Sequence, residues 1–257
     1  MSAPTMFTVT AAPGARRSPM PAGGGRLCGI SLVSAGDMAF SRRTELPHRG
    51  RLVTELGAPA DKVFALRQVH SRDIVVLDNQ PPQNLAATEA DGMLTLRQDV
   101  LLTVTVADCL PIVLVDARGG AFGIVHSGWK GTGIAAEAVR VMQERFGSRP
   151  RDIAVTIGPG IGTCCYRVPA ERAEHFEVAF GPGTVVHGAD GTPRLDLRAA
   201  NVRLLEEAGV ESISIASACT CCTPGLASFR RQGAAHFTLM LAYVGGAELP
   251  RAEAAVP

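Results

Sequence analysis

Three short segments of the chain carry side chains that can bind a metal ion or attack a substrate. They are Gln-Val-His-Ser at 68–71, Ala-Asp-Cys-Leu-Pro at 107–111 and His-Ser-Gly-Trp-Lys-Gly-Thr at 126–132. Together they offer the imidazoles of His70 and His126 and the thiol of Cys109. This donor set suits zinc or copper, whereas calcium and magnesium prefer oxygen ligands. We therefore predict one mononuclear metal site built from these three residues.

Three protein ligands leave the fourth position of a tetrahedral zinc ion for water, which is the arrangement of a catalytic site. Zinc lowers the pKa of such a water to about 7. Asp108, beside Cys109, is the nearest candidate for a general acid, unless its side chain serves the structure. The spacing of the ligands matches no zinc-finger pattern, so two alternatives stay open. In the first, Cys109 is only a small buried thiol and each histidine only a hydrogen-bonded residue without metal. In the second, Cys109 and His126 form a metal-free nucleophile pair.

Three basic residues are candidates for holding phosphate or another anion. Lys130 lies in a Gly-rich segment that leads into a predicted helix, and the first backbone N–H groups of a helix attract anions. Arg230 and Arg231, in the segment Ser-Phe-Arg-Arg-Gln-Gly, offer two guanidinium groups that can bind a phosphate or a carboxylate. The alternatives are an ordinary strand-to-helix turn at Lys130 and a solvated edge or internal ion pair at the two arginines.

The remaining cysteines do not form an evident motif. Cys164 and Cys165 are adjacent, which is a poor arrangement for chelating one metal ion, and we predict a structural role for them. For Cys219, Cys221 and Cys222 we predict packing or a redox-sensitive thiol. Seven cysteines in a chain of 257 residues do not match a secreted disulfide scaffold. We therefore expect a reducing, cytoplasmic environment.

The three reactive segments are predicted to lie where strands end, because strand ends hold side chains rigidly beside a cleft. β-branched and apolar runs bounded by Gly, Pro or Asp predict strands at 63–69, 74–77, 101–106, 112–116, 121–125, 153–157, 210–216 and 237–244. Helical spacing of apolar residues predicts helices at 133–146 and 170–180, and a third between an N-cap at Asp196 and a stop at Gly209. The irregular alternation of strands and helices predicts a layered α/β fold.

The composition is that of a globular enzyme, with 46% hydrophobic and 19% charged residues. The formal net charge of +1 gives no reason to expect nucleic acid or an anionic membrane as partner. The apolar runs are too short to span a bilayer, and we see no signal peptide. We predict a disordered or loosely attached arm at 1–26, a single catalytic domain at 27–245 and a flexible tail at 246–257. The oligomeric state stays open, and a monomer is compatible with the sequence.

The motifs, taken in order, resemble a known family. The strings are QVHS, ADGMLT at 90–95, VADCLPIVLVD at 106–116, GIVHSGWKGT at 123–132, IGPGIGTCCYRV at 157–168 and SFRRQG at 228–233. The family was first called multicopper polyphenol oxidase, or laccase-domain proteins, and its members are now described as purine nucleoside phosphorylases with adenosine deaminase activity. The resemblance implies that His70, Cys109 and His126 bind the metal. It also implies a layered α-β sandwich similar to the catalytic domain of cytotoxic necrotizing factor, whose Cys–His pair performs deamidation.

The resemblance implies an enzyme whose partners are purine nucleosides and phosphate. The expected reactions are phosphorolysis of adenosine, inosine and methylthioadenosine and hydrolytic deamination of adenosine, with zinc or copper as cofactor and inorganic phosphate as co-substrate. The residues expected to be catalytic are Cys109, His126 and Asp108, and those expected to contact substrate are Lys130, Arg230 and Arg231. The chain departs from the family pattern in two places, and both concern the expected substrate contacts. Residues 31–51 lack a segment that the family often carries. No arginine stands at the matching position after the paired arginines.

Three rival functions remain: a copper-dependent polyphenol oxidase, a cell-wall precursor editing hydrolase and a non-catalytic metal-binding protein. A multicopper oxidase needs several copper centres and about ten histidine ligands, whereas this chain has six histidines. Metal content and a substrate panel measured on the same sample separate the four hypotheses.

Overall fold

Apolar side chains that alternate along the central strands build two β-sheets, which pack face to face. The structure is a computed structural model and describes residues 4–9, 14–22, 26–39, 48–78 and 85–249. The larger sheet contains β1 (Thr5–Phe7), β5 (Ile74–Leu77), β6 (Gly92–Thr95), β8 (Leu110–Asp116), β9 (Phe122–Ser127), β10 (Ile153–Ile157) and β13 (Ser212–Ala216). Its strand order is β1-β13-β10-β8-β9-β6-β5.

The smaller sheet has the strand order β2-β3-β14-β7-β4. Its strands are β2 (Arg17–Pro19), β3 (Cys28–Ser31), β4 (Val63–Phe64), β7 (Leu101–Val106) and β14 (Met240–Gly245). A separate hairpin pairs β11 (Val185–His187) with β12 (Pro193–Leu195). The helices are α1 (His48–Glu55), α2 (Ile134–Phe146), α3 (Ala170–Phe180), α4 (Leu197–Glu207) and the short α5 (Phe229–Gln232).

Successive side chains of a strand point to opposite faces of its sheet, so each sheet can pack against a different layer on each face. In β7, Leu102 and Val104 face the larger sheet and pack against residues such as Phe122 of β9. Leu101 faces the opposite side and packs with Leu52 of α1. The outer face of the larger sheet is covered by α2, α3 and α4. The protein is therefore an α-β-β-α sandwich, and the predicted mixed α/β architecture is confirmed.

Most predicted elements are present with shifts of one to a few residues at their ends. Residues 74–77, 101–106 and 153–157 form strands with the predicted bounds. Asp196 caps α4, because its Oδ1 accepts a hydrogen bond of 2.9 Å from the Ala199 N–H. The three longer helices bury one apolar face against the sheet, which explains why helical spacing located them.

Two predictions differ from the structure. The strand predicted at 63–69 is limited to Val63–Phe64, because the following residues leave the ladder with β7 and form a loop towards β5. The arm predicted at 1–26 adds strands to both sheets: Thr5–Phe7 pairs with β13 and Arg17–Pro19 with β3. Those short strands are stabilised by pairing partners distant in sequence, which composition does not reveal. The predicted tail lies outside the described residues from 250 onwards.

Among the described residues, none of the helices combines the length and the apolar character that a membrane span requires.

Candidate metal centre and its cavity

His70, Cys109 and His126 come together at one end of the sandwich. Cys109 occupies the turn between β7 and β8, and His126 lies within β9, where it pairs with Pro111 of β8. His70 lies in the loop between β4 and β5 rather than at a strand end. Their ligand atoms all lie within 4.8 Å of one another, with 3.9 Å between His70 Nε2 and Cys109 Sγ. The structure therefore assembles the three predicted ligands, although only Cys109 lies just beyond the end of a strand.

A fourth residue, Asp91, organises this set. Its side chain is fully buried, and its Oδ1 lies 2.8 Å from His126 Nδ1. Its Oδ2 accepts hydrogen bonds from the N–H groups of Val69 (3.1 Å) and Ser71 (2.7 Å) and from the Ser71 hydroxyl (3.1 Å). One carboxylate thus orients one histidine and fixes the loop that carries the other.

No role was predicted for Asp91 from the sequence, although it belongs to the ADGMLT string at 90–95. The signal available was a single acidic residue immediately before β6, the strand that pairs with β9. Without knowledge of that pairing, an acidic residue before a strand is an ordinary turn residue.

The backbone around the ligands is strained. Among the described residues other than glycine, only His70 (φ 62°) and Asp108 (φ 88°) have positive φ. Such conformations cost about 1–3 kcal/mol each and persist where the surrounding structure imposes them. One of the two is a predicted ligand and the other precedes a predicted ligand, so the strain is concentrated at the candidate site.

Gly128 leaves the room that the ligands require. A Cβ atom at this position would lie 2.8 Å from Cys109 Sγ and 3.1 Å from His70 Cδ2. Any side chain would therefore push the thiol and the imidazole away from each other. The Gly-rich segment after His126 is explained by this close approach as well as by the turn into α2.

The electrostatics of the three side chains are coupled. Burial alone would raise the pKa of Cys109, but the charge of His126 and hydrogen bonds from His126 and His70 outweigh it and lower that pKa to about 6. Burial alone would lower the pKa of His126, whereas the charge of Cys109 and the hydrogen bond to Asp91 raise it to about 9. Without metal, the site therefore favours a thiolate beside an imidazolium.

The donor set fits a zinc ion. In a tetrahedral zinc site with bonds of about 2.0–2.3 Å, ligand atoms lie roughly 3.3–3.8 Å apart, and the separations here are at most 4.8 Å. Because Nδ1 of His126 is engaged by Asp91, its Nε2 is left for the metal. A carboxylate that accepts a hydrogen bond from the other ring nitrogen of a metal-binding histidine is typical of zinc sites.

The ligands open onto a cavity of about 690 Å³, which is within the usual range for small-molecule sites. Aromatic, apolar and basic side chains form its walls. These walls include Leu66, Trp129, Ile161, Tyr166, Arg172, Phe229 and Arg230. The Arg172 guanidinium lies 4.6 Å from the Trp129 ring and that of Arg230 lies 5.4 Å from the Tyr166 ring. A flat aromatic ligand would meet stacking surfaces and positive charge next to the metal ligands.

Asp108 lines this cavity, but both of its carboxylate oxygens are occupied. Oδ1 accepts a hydrogen bond of 2.6 Å from the Thr220 hydroxyl, and Oδ2 accepts one of 2.7 Å from the Arg230 N–H. This arrangement connects the Cys109 turn to the loops around 220 and 230. It supports a positioning role for Asp108 more than the general-acid role suggested by the sequence.

The three predicted anion-binding residues occupy different environments. Arg230 lines the main cavity, and its Nη1 also donates to the carbonyls of Cys165 and Arg167, at 3.1 Å each. Lys130 lines an adjoining cavity of about 280 Å³ that shares Trp129 and Arg172 with the main one. Arg231 lines neither of these two cavities, because its guanidinium donates to the carbonyls of Thr220 and Cys221.

The structure also brings together cysteines that the sequence analysis treated separately. The Sγ atoms of Cys164, Cys165, Cys219 and Cys222 lie within 4.8 Å of one another. The sequence signal that was missed is the C-x-x-C spacing of Cys219 and Cys222. The two loops pair through a bridge between Gly160 and Cys219, a contact between distant segments that spacing alone does not reveal.

The role of Asp91 is testable by the substitution Asp91→Asn. The amide would place an N–H₂ group against His126 or against the N–H donors of the 69–71 loop, so we expect zinc affinity at the three-ligand site to fall about 10–100-fold. Competition titration with a chromophoric chelator measures this affinity. Asp73→Asn, in an exposed neighbouring residue, is the matched control and should bind zinc as the wild type does. Equal affinities for the two variants would contradict the role given to Asp91.

The coupled charges predict how the metal-free protein reacts with iodoacetamide. Because the pKa of Cys109 is lowered to about 6, its thiolate is present above that pH and is lost as the pH falls through it. Alkylation of Cys109, followed by peptide mass spectrometry, should rise with a midpoint near pH 6, and bound zinc should suppress it. Cys28, whose pKa burial raises to about 12, should stay unlabelled. A Cys109 midpoint close to that of an ordinary thiol would refute the coupling.

Comparisons with known proteins agree with this architecture. The family model described as multi-copper polyphenol oxidoreductase laccase matches residues 43–244. A Mycobacterium tuberculosis protein named purine nucleoside phosphorylase is 38% identical over 186 residues, which are 72% of this chain and 73% of that protein. The crystal structure of YlmD from Geobacillus stearothermophilus has a TM-score of 0.83 at 30% identity and covers 93% of this chain and 99% of YlmD. The crystal structure of Bacillus licheniformis YfiH has a TM-score of 0.76 at 27% identity, covering 86% and 92%. The chain therefore belongs to the family described as multi-copper polyphenol oxidoreductase laccase.

Proposed function

We propose that the protein is a purine nucleoside phosphorylase that acts on adenosine, inosine and methylthioadenosine and also deaminates adenosine in a metal-dependent reaction. The observation that carries the proposal is that the His70–Cys109–His126 set opens onto a cavity with aromatic and basic walls. The name of the M. tuberculosis relative supports the same reaction class. A cytoplasmic location, where nucleosides and phosphate are available and thiols stay reduced, completes the proposal.

The purine would bind between the aromatic walls of the cavity. Tyr166, Trp129 and Phe229 offer ring faces for stacking, and Leu66 and Ile161 add apolar contacts. Burial and the nearby charge of Cys109 raise the pKa of Tyr166 to about 12. Its hydroxyl therefore keeps its proton at neutral pH and can donate a hydrogen bond to the substrate.

The residues around the candidate metal site would have separate roles in the reaction. A zinc ion held by His70, Cys109 and His126 would supply Lewis-acid polarisation and a water of lowered pKa when bound; copper is the alternative ion for the same donors. Asp91 holds the Nδ1 proton of His126 and so fixes the tautomer in which Nε2 can act as a ligand. Asp108 and Thr220 hold the turn that presents Cys109.

Phosphate would bind beside the arginine side chains that line the cavity. Arg172 is the cation that the main cavity shares with the adjoining one, and Arg230 stands on the same side as Tyr166. In phosphorolysis, a phosphate oxygen attacks C1′ of the ribose, the bond from C1′ to the base breaks, and the base takes up a proton. Two guanidinium groups would neutralise the phosphate while it attacks. Lys130, from the adjoining cavity, would add charge at longer range.

A second candidate function rests on the geometry of Cys109, His126 and Asp91. The Asp91 carboxylate orients the His126 imidazolium, which lies beside the Cys109 thiolate. This is the arrangement of a cysteine hydrolase that needs no metal. The resemblance to the cytotoxic necrotizing factor fold and the hypothesis of a cell-wall precursor editing hydrolase both belong to this candidate. Its discriminating property is activity that survives complete removal of metal by a chelator.

The proposed reaction predicts different requirements for the two activities. Release of adenine from adenosine should rise with phosphate concentration, saturate, and yield ribose 1-phosphate, whereas formation of inosine should proceed without phosphate. Arg172→Ala should raise the KM for phosphate about 10–100-fold, because a charge-assisted hydrogen bond contributes roughly 1.5–3 kcal/mol, and should leave deamination nearly unchanged. Chromatography of the products with and without phosphate measures both activities.

Arg151→Ala, which removes an exposed arginine that lines neither of the two cavities, is the matched control and should behave as the wild type. Lys130→Ala should impair phosphorolysis less than Arg172→Ala does. Free ribose as the sugar product would make the enzyme a nucleosidase. Oxidation of phenols by the copper-loaded protein, with no release of base from any purine nucleoside, would replace the proposal by an oxidase.

A further inference from the structure

We propose that Cys164, Cys165, Cys219 and Cys222 form a second metal site, which binds one zinc ion and ties together two loops that wall the substrate cavity. This proposal does not depend on the reaction proposed above. It revises the prediction of one metal ion per chain that the sequence alone suggested.

The sulfur atoms have the separation of a single-ion site. The Sγ atom of Cys222 lies 3.5 Å from that of Cys164 and 3.4 Å from that of Cys165, and all four Sγ atoms lie within 4.8 Å of one another. In a tetrahedral zinc site with Zn–S bonds of about 2.3 Å, neighbouring sulfur atoms are roughly 3.8 Å apart. Four thiols would therefore need to move little to become ligands.

The local backbone explains how two adjacent cysteines can point towards one place. A turn holds them, since the N–H groups of Cys165 and Tyr166 both donate to the carbonyl of Gly162, at 2.9 and 3.0 Å. Gly162 is also tightly packed, because a Cβ atom there would lie 3.3 Å from both Cys164 Sγ and Cys219 Cβ. The turn thus replaces the extended geometry in which successive side chains diverge.

A backbone N–H group points at the sulfur of the most buried member of the group, Cys219. Cys219 Sγ accepts a hydrogen bond of 3.2 Å from the Gly162 N–H. An N–H donor to the first sulfur of a C-x-x-C turn stabilises negative charge on that sulfur, which is what a thiolate ligand requires.

The surroundings of the cluster are positively charged. Arginine side chains donate to carbonyls of both cysteine loops: Arg194 to Cys164 (3.2 Å), Arg230 to Cys165 (3.1 Å), Arg231 to Cys221 (2.9 Å) and Arg198 to Ala218 (2.6 Å). Within the described part of the chain, the buried Nε atoms of Arg194 and Arg198 have no hydrogen-bond partner. Four thiolates around Zn²⁺ carry a net charge of about −2, and these guanidinium groups would balance it.

The position of the cluster indicates what the metal would do. One loop carries Ile161 and Tyr166, and the other donates from Thr220 to Asp108, next to Cys109. The two loops are paired beside the cluster by a bridge between Gly160 and Cys219 and by a hydrogen bond of 3.1 Å from the Thr220 N–H to the Gly160 carbonyl. A closed site with four thiolates has no position for water, so its role would be structural. It would hold the cavity wall against the turn that carries Cys109.

The test is zinc content measured by elemental analysis on protein purified without oxygen. The wild type should contain about two zinc ions per chain, and the double variant Cys219→Ser/Cys222→Ser about one. Cys221→Ser, which changes a neighbouring cysteine outside the group of four, should keep about two and is the matched control. A wild type with one zinc ion and four free or disulfide-bonded cysteines at these positions would overturn the proposal.

X-ray absorption at the zinc edge keeps the test decisive if the double variant does not fold. In the wild type, one site would contribute a single thiolate and the other would contribute four, so sulfur should dominate the ligand shell. Substitution of His70 by Ala should then raise the sulfur fraction further, because it removes zinc from the mixed site. A shell with one sulfur per zinc ion in the wild type would show that only the mixed site is occupied.

Discussion

The arrangement of the site depends on one buried carboxylate. Asp91 accepts from His126 at one oxygen and from the loop carrying His70 at the other. Burial alone would raise the pKa of Asp91, but the hydrogen bonds and charge of His126 and the N–H groups of Ser71 and Val69 outweigh it and lower that pKa. The carboxylate therefore stays ionised inside the protein. Its charge supports the imidazole of His126, and its lone pairs stabilise the strained backbone at His70.

The pairing of strands in the sandwich places the Asp91 carboxylate next to His126. β6 and β9 are paired so that the His126 N–H donates to the Asp91 carbonyl at 2.7 Å, which places the two side chains at the same edge. β8 and β9 are paired so that the Cys109 turn lies beside them. The two strained residues and the close approach at Gly128 then bring sulfur and nitrogen ligands within reach of one ion. The chemistry of the cavity thus follows from strand register, which apolar burial between the sheets maintains.

The strands and helices that depend on local sequence pattern could be predicted from the sequence. Period-two and helical patterns predicted most central strands and three helices, because the core selects those side chains directly. The three candidate ligands were predicted from residue type and family motif, and the structure brings their side chains together. Asp91, the strands of the N-terminal segment and the four-cysteine cluster were missed. Each of these depends on contacts between segments far apart in the chain, such as Thr5–Phe7 with β13 and Cys164 with Cys222. The strand predicted at 63–69 is shorter in the structure, because Leu66 is buried from a loop and Val69 is exposed.

The central claim is that His70, Cys109 and His126 hold a metal ion at the place where a purine nucleoside binds. The most direct measurement is anomalous diffraction at the zinc absorption edge from crystals of the zinc-loaded protein soaked with a purine nucleoside. The account predicts an anomalous peak bonded to Nε2 of both histidines and to Cys109 Sγ, with the purine in the same cavity between Tyr166 and Trp129. No peak at these three atoms, or a nucleoside bound elsewhere on the protein, would contradict it.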